Sequence, residues 1–149
     1  MRSVKKLKDS HHLFYYRGKE NGKTNGVGFL NNLNVADNVS KFGSISDRVA
    51  WILFKLNKRY TPKEIQVYTP TSQSSEEDIK SFYEDISSII DREKFQYTIV
   101  MGDFNAKVGI KIAGESCIGK FGIGEHNDTG EISVNFAERC DFRIMNTFF

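Results

Sequence analysis

Long hydrophobic runs and export signals are missing from this chain of 149 residues. The longest apolar run, Val49–Phe54, is far shorter than the ~18 residues that a membrane-spanning helix requires. The N-terminal residues are rich in lysine and lack the apolar region of a signal peptide. We therefore expect a protein that is not secreted and that lies inside the cell, in the nucleus or the cytoplasm.

Cysteine is also scarce, which excludes several kinds of site. Cys117 and Cys140 are the two cysteines, and they stand neither in a CxxC pair nor at the spacing of zinc ligands. The sequence thus indicates neither a zinc site nor a disulfide framework. We interpret both residues as ordinary thiols.

Charge is nearly balanced over the chain but is unevenly placed. The net charge is +2, yet residues 1–23 carry seven Lys and Arg residues against Asp9 and Glu20. Such a stretch can contact nucleic-acid phosphates and release their counterions. A solvated terminal arm explains the same pattern and is the commoner case.

The first half of the chain predicts strands. Residues 26–30 form a short apolar stretch whose glycines allow close backbone approach, and residues 31–46 are rich in turn formers. Residues 48–56 are apolar almost throughout, as expected of a strand covered on both faces. Residues 64–68 alternate in polarity, so we predict that they pair with the preceding strand in antiparallel fashion.

A helix is predicted from Ser75 to about Arg92 or Glu93. Its apolar residues follow the spacing of one helical face: Ile79, Phe82, Tyr83, Ile86, Ile89 and Ile90. Ser74 with Glu77 has the pattern of a capping box. This periodicity is the strongest structural signal in the sequence.

The C-terminal third predicts fewer elements. Residues 96–101 form an apolar strand, residues 109–130 a long glycine-rich loop, and residues 128–140 a short helix. Residues 142–149 are predicted to form a strand that ends with two phenylalanines. Because natural chain ends are usually polar, we expect that the reading frame is cut short.

The strand at residues 96–101 runs into Gly102, Asp103, Phe104 and Asn105. Alternation along an extended chain would place Asp103 and Asn105 on one side. A carboxylate beside a phosphodiester can accept a proton from water, and an amide can donate to a phosphoryl oxygen. A turn is the alternative explanation, since Gly, Asp and Asn are common turn formers.

Residues 100–109, with residues 66–71 and 146–149, resemble the endonuclease/exonuclease/phosphatase superfamily. Within it, the resemblance is strongest to endonuclease domains of LINE-type non-LTR retrotransposons and to the craniofacial development protein 2-like products derived from them. Further matching blocks occur, in the same order, at residues 25–30, 46–49 and 119–125 and at Asn127. The resemblance covers nearly the whole chain, so we predict one partial domain of this type over residues 1–149.

The resemblance implies an α/β fold, here a partial four-layered α/β sandwich with mixed, mainly antiparallel sheets. It also implies Mg²⁺-dependent cleavage of phosphodiesters, typically in DNA. Carried over to this sequence, Asp103 acts on the attacking water, Asn105 holds the phosphate and Tyr68 contacts the phosphate from a neighbouring strand. A tyrosine that merely packs at a strand end is the alternative explanation for Tyr68.

Several family motifs are absent from the sequence. We find neither the N-terminal asparagine and metal-binding glutamate nor the C-terminal aspartate and Ser-Asp-His signature. Residues 46–48 do not replace that signature, because Arg48 stands where histidine is required. His11, His12 and His126 lack ligand spacing and are interpreted as surface residues. Because Mg²⁺ takes oxygen ligands, we expect weak metal binding and a fragment with little or no activity.

Two classes of function follow from these observations. The first is a fragment of an Mg²⁺-dependent DNA endonuclease domain of retrotransposon origin. The second is a non-enzymatic remnant of the same fold that binds nucleic acid or protein. A phosphoinositide or sphingolipid hydrolase of the same superfamily fits the quoted blocks less well.

Overall fold

The computed structural model describes residues 5–9, 11–18, 26–71, 73–92 and 95–149. The chain divides into two compact units. The first comprises Met1–Pro70 and Ser74–Asp103, and the second comprises Thr71–Gln73 and Phe104–Phe149. The elements of the first unit are, in order, β1 Lys5–Lys8, β2 His12–Gly18, β3 Gly26–Asn32, α1 Leu33–Ala36, β4 Val39–Ser44, β5 Val49–Phe54, β6 Lys63–Tyr68, α2 Glu76–Arg92 and β7 Thr98–Asp103.

Two sheets form the first unit. Sheet A has the order β1-β2-β3 and is antiparallel throughout. Sheet B has the order β4-β5-β6-β7 and is antiparallel except for the parallel pair of β6 and β7. The predicted fold class, an α/β fold with mixed and mainly antiparallel sheets, is confirmed.

The core of the first unit lies where the two sheets face each other. Sheet A contributes alternate residues of β2 and β3, and sheet B contributes alternate residues of β5. These buried side chains are Leu13, Tyr15, Val27, Phe29, Ala50, Ile52 and Phe54. A β-branched or aromatic side chain on a pleated strand packs well against such a partner sheet.

Helix α2 packs against the opposite side of sheet B. Its buried residues, Ile79, Phe82, Tyr83, Ile86 and Ile89, are five of the six that the periodicity predicted. Strand β5 is consequently buried on both faces, as its unbroken apolar sequence predicted. The helix begins at Glu76, and the Oγ of Ser75 accepts the N–H of Asp78. The prediction that Ser74 caps the helix is wrong by one residue.

A buried lysine joins α2 to sheet B. Lys63 at the start of β6 is only 3% exposed. Its Nζ donates to the carbonyl of Ile89, in the C-terminal half of α2, at 2.7 Å and lies 4.7 Å from the ring centre of Phe95. A cation is stabilised there by the negative end of the helix dipole, which explains how a charged side chain is accommodated in the core.

Two predictions for the first unit are wrong in part. The basic N-terminal stretch is not a solvated arm over its described part, because β1 and β2 pair within sheet A. The turn-rich residues 31–46 contain α1 and strand β4. Residues 1–4, 10 and 19–25, which hold the remaining charges of the basic stretch, lie outside the described residues.

The second unit contains α3 Asp128–Arg139 and a short 3₁₀ helix, Met145–Thr147. The predicted helix is confirmed, and the predicted loop at residues 109–130 is irregular up to Asn127. The predicted C-terminal strand is wrong, because Ile144 makes an isolated bridge with Ile118 and the 3₁₀ helix follows. Cys117, Ile118, Val134 and Ala137 form the core of this unit.

A turn in the left-handed conformation ends α3. The N–H of Asp141 donates to the carbonyl of Glu138, and the N–H of Phe142 donates to that of Ala137. Asp141 has φ +53°, as this kind of helix end requires. The turn directs Phe142 back onto the core of the second unit.

The carboxylate of Glu138 holds the segment that carries Cys117. Its Oε1 accepts the N–H of Ser116 at 2.5 Å and that of Cys117 at 2.6 Å, and its Oε2 accepts the Ser116 hydroxyl at 2.8 Å. These bonds lower the pKa of Glu138 to about 2, the Cys117 N–H having the largest effect. Burial, with the nearby Glu138 carboxylate, raises the pKa of the Cys117 thiol to about 12.

We expect the second unit to lose stability in acid through Glu138. Because its pKa falls from 4.5 to about 2 on folding, the carboxylate stabilises the fold above pH 4.5. That stabilisation declines below pH 4.5 and is lost as the pH falls through about 2. Acid unfolding followed by circular dichroism should show a smaller pH dependence in Glu138→Gln than in the wild type.

Glu131, exposed on the same helix, provides the matched control. Glu131→Gln should retain the acid dependence of the wild type. Equal acid profiles for Glu138→Gln and the wild type would contradict the role assigned to Glu138.

Candidate functional site

Tyr68 and Asp103 lie side by side at the ends of two parallel strands. In the pairing of β6 with β7, Tyr68 is the register partner of Asp103. The N–H of Thr69 donates to the carbonyl of Asp103 at 2.9 Å, so the backbone pairing continues past the strand ends. Because parallel strands present their carboxyl ends at one edge of a sheet, a phenol and a carboxylate are brought to the same edge.

Glycine at position 102 allows this pairing. Gly102 has φ +139°, and a Cβ added there would lie 1.9 Å from the carbonyl oxygen of Val67. No side chain fits at that distance without moving the backbone of β6. The glycine before Asp103 is thus required by the close approach of the two strands.

Arg48 fixes Tyr68 from the neighbouring strand. The N–H of Tyr68 donates to the carbonyl of Arg48 at 2.9 Å, and Nη1 of Arg48 donates to the carbonyl of Tyr68 at 3.3 Å. The Cζ of Arg48 lies 5.5 Å from the centre of the Tyr68 ring, within the range of a cation–π interaction. The ring of Tyr68 also packs against the core between the sheets and remains half-buried.

The role of Arg48 was not predicted from the sequence, in which this residue was interpreted as part of the matching block at residues 46–49, as the start of a strand, and as a mismatch to a histidine. The available signal was its position directly before β5, the strand that pairs with β6. An arginine there can reach the end of the neighbouring strand, where the tyrosine stands. Its fork of donors can hold a carbonyl and leave further N–H groups for another partner.

A polar cleft of about 360 Å³ opens beside Arg48. Its walls include Ser46, Arg48 and Ser81 together with the carboxylates of Asp78 and Asp85. Burial raises the pKa of Asp85, although a hydrogen bond from Ser46 opposes this effect. The cleft therefore combines one cation with several carboxylates, which does not favour an anion there.

Asn105 does not continue the extended strand, contrary to the prediction. Strand β7 ends at Asp103, and Asn105 has φ +44°, a left-handed conformation that asparagine tolerates better than most residues. The alternation argument that placed Asn105 on the side of Asp103 is therefore wrong. Asn105 belongs to the second unit, whereas Tyr68 and Asp103 belong to the first.

The N-terminus of α3 anchors the backbone around Asn105. The hydroxyl of Thr129 donates to the carbonyl of Asn105 at 2.9 Å. The Oδ1 of Asn127 accepts the N–H of Lys107 at 3.0 Å and that of Gly130 at 2.8 Å. One asparagine thus caps the helix and holds the segment that follows the predicted site.

The histidines occupy two kinds of environment. His11 and His12 donate their backbone N–H groups to Asp9 in the turn between β1 and β2, and this lowers the pKa of Asp9. The side chain of His126 is only 13% exposed, and its Nε2 lies 3.2 Å from the carbonyl of Ile110. The interpretation of His126 as a surface residue is wrong.

The residues that the structure describes do not form a metal site. Over the described ranges, no three His, Cys, Asp or Glu residues come together in a way that could hold a metal ion. Mg²⁺ usually binds to one or two carboxylates together with water and substrate phosphates. Asp103 offers one carboxylate at the paired strand ends, and this alone does not fit a resident Mg²⁺ ion.

The chain is similar to craniofacial development protein 2. It is 32% identical to that protein of Bos taurus over 145 residues, which are 96% of this chain and 24% of the relative. For that of Tragulus javanicus the identity is 31% over 145 residues, 96% of this chain and 25% of the relative. The chain thus spans about a quarter of the length of these proteins.

These relatives confirm the predicted resemblance to craniofacial development protein 2-like proteins. No protein-family model matches the chain, and no solved structure matches it. Membership of the endonuclease/exonuclease/phosphatase superfamily stays a prediction. No described helix is long and apolar enough to cross a membrane.

Replacing Gly102 should destabilise the first unit strongly. Gly102→Ala forces a Cβ onto the carbonyl of Val67, and we expect a loss of about 3 kcal/mol or more. Urea unfolding measures the change. Gly114 is the matched control, since its φ is +96° but nothing lies within 4 Å of an added Cβ. Gly114→Ala should cost about 1–2 kcal/mol, and equal losses would contradict the close approach.

Asn127 should stabilise the second unit through its side-chain oxygen. Asn127→Ala removes the acceptor for Lys107, Thr129 and Gly130, and we expect a loss of about 1–2 kcal/mol. Asn127→Asp keeps an oxygen in place and should retain most of the stability. Thermal unfolding of the two variants tests this, and an alanine variant as stable as the aspartate variant would argue against the cap.

Proposed function

We propose that the chain carries part of a phosphodiester-hydrolysing site acting on DNA, with Asp103, Asn105 and Tyr68 as its residues. The observation that carries the proposal is the register pairing of Tyr68 with Asp103, with Arg48 beside the tyrosine ring. In this proposal Asp103 accepts a proton from the attacking water. Tyr68, which Arg48 holds in place through its backbone, donates to a phosphoryl oxygen.

The exposure of these groups agrees with a polymeric substrate. Asp103 is exposed and Tyr68 is half-buried, so the strand ends can be reached by a nucleic-acid backbone. Asn105 enters the proposal through the resemblance to retrotransposon endonucleases and craniofacial development protein 2-like proteins. It stands two residues after Asp103 on a segment that Thr129 and Asn127 hold in place.

We also propose that this chain alone cleaves phosphodiesters at a low rate. The carboxylates needed to hold a metal ion do not come together among the described residues. Mg²⁺ would have to be recruited largely by the substrate phosphates, and we propose that it binds weakly. The chain is accordingly a weakly active or inactive part of an endonuclease-like domain of retrotransposon origin.

Nicking of supercoiled plasmid in the presence of Mg²⁺ tests this function. The wild type should convert the plasmid slowly to the open circular form, and Asp103→Ala should slow this conversion at least about 100-fold. Tyr68→Phe keeps the ring but removes the hydroxyl, so it should also slow nicking. Asp91→Ala, at an exposed position on α2, should leave the rate unchanged.

Two results of this experiment would contradict the proposal in different ways. Nicking by Asp103→Ala at the rate of the wild type would show that the activity comes from elsewhere, and the site would be wrong. No nicking by any form, together with salt-dependent DNA binding that survives in Asp103→Ala, would favour the second candidate, a nucleic-acid-binding remnant. The charge of sheet A favours that candidate, since its strands contain cationic residues and no Asp or Glu.

A further inference from the structure

The loop that carries Arg48 is short and is closed at its base. It consists of residues 45–48, between β4 and β5, and the N–H of Ile45 donates to the carbonyl of Val49 at 3.1 Å. Arg48 stands at the end of the loop and contacts Tyr68 through its backbone and its guanidinium group. The position of this loop therefore bears directly on the position of Tyr68.

Helix α2 holds the same loop from another side. The hydroxyl of Ser46 donates to the carboxylate of Asp85 on α2, and both residues line the polar cleft beside Arg48. Ser46 is only two residues before Arg48. A hydrogen bond at Ser46 thus restrains the segment whose last residue holds the tyrosine.

Asp85 is well placed to act as a fixed support. It is half-buried and lies on α2 between Phe82, which is 3% exposed, and Ile86, which is fully buried. Both neighbours belong to the helix face that packs against sheet B. A polar side chain on a helix that is anchored in this way can orient a site more precisely than one on a free loop.

The charge of Asp85 is unfavourable for the fold apart from its bond to Ser46. Burial raises the pKa of Asp85 and the neighbouring Glu84 carboxylate acts in the same direction, whereas the hydrogen bond from Ser46 opposes them. Asp47 and Asp78 line the same cleft and add negative charge. Because a carboxylate is a strong acceptor for a hydroxyl, the ionised side chain is suited to holding Ser46.

We propose that Asp85 is a positioning residue for Tyr68. It holds Ser46, the loop then keeps Arg48 in place, and Arg48 fixes the backbone and the ring of Tyr68 beside Asp103. Asp85 acts on the tyrosine through these two residues. The consequence for cleavage rests on the proposed function, in which Tyr68 donates to a phosphoryl oxygen.

NMR spectra of the chain with isotope-labelled tyrosine rings test the positioning directly. Ser46→Ala and Asp85→Ala each remove the hydrogen bond, so both should shift the ring signals of Tyr68. Asp85→Asn keeps an acceptor oxygen and should leave these signals close to those of the wild type. Asp91→Ala, at an exposed position on the same helix, is the matched control and should shift nothing.

Tyr60, beyond the opposite end of β5, serves as the internal reference and should keep its signals in every variant. Equal changes at Tyr60 and Tyr68 would show that Asp85 supports the fold as a whole, which would overturn the proposal. Unmoved Tyr68 signals in Asp85→Ala would overturn it as well.

Combined variants test the route through Ser46 and Arg48. Ser46→Ala with Asp85→Ala should shift the Tyr68 signals no further than either change alone, because both remove the same bond. In an Arg48→Ala background, Asp85→Ala should leave the Tyr68 signals where they are. Additive shifts in either combination would mean that Asp85 reaches the tyrosine by another path, and the proposed route would be wrong.

Nicking of supercoiled plasmid with Mg²⁺ measures the consequence for cleavage. Asp85→Ala should slow nicking about tenfold, because a small displacement of a group that contacts the substrate has an effect of this size or larger, and Asp85→Asn should slow it less. Asp103-dependent nicking that Asp85→Ala does not slow would overturn the positioning role and leave the proposed function intact. If no form nicks, the proposed function fails and the Tyr68 signals alone decide the role of Asp85.

Discussion

The parallel pairing of β6 with β7 is the constraint on which the rest of the first unit depends. It joins the helix α2, which lies between these strands in sequence, to the sheet that α2 covers. It also sets Tyr68 opposite Asp103. Two residues of these strands stabilise the pairing at its ends. Lys63 donates a hydrogen bond to the carbonyl of Ile89, and Gly102 has no side chain that would separate the strands.

The central elements of the first unit, β5 and α2, can be predicted from the sequence because burial determines where their apolar residues stand. Strand β5 is apolar throughout because sheet A covers one face and α2 the other. The apolar residues of α2 recur at helical spacing because a single face meets the sheet. In both cases the burial that stabilises the element also determines the positions of its apolar residues, so both predictions are confirmed.

Sheet A and the segment after Asp103 were harder to predict for the same physical reason. In β1 the lysines obscure the alternation, and in β2 both faces carry aromatic or basic side chains. Their strands are recognised only through pairing with distant residues, which a single sequence does not display. Similarly, the alternation rule fails at Asn105 because the backbone there is set by bonds from Thr129 and Asn127, more than twenty residues away. Predicting the pairing of Tyr68 with Asp103 requires the register between β6 and β7. Predicting the contact between Arg48 and Tyr68 also requires the pairing of β5 with β6.

Two glycines bracket the segment that carries the predicted site. The carbonyl of Val67 occupies the space of a side chain at Gly102, and the carbonyl of Lys107 occupies that space at Gly130, 1.9 Å from an added Cβ in each case. Backbone packing therefore constrains both positions to glycine, whatever chemistry the segment carries. The glycine next to Asp103 thus reflects the close approach of two backbone segments and does not by itself indicate that the chain cleaves a substrate.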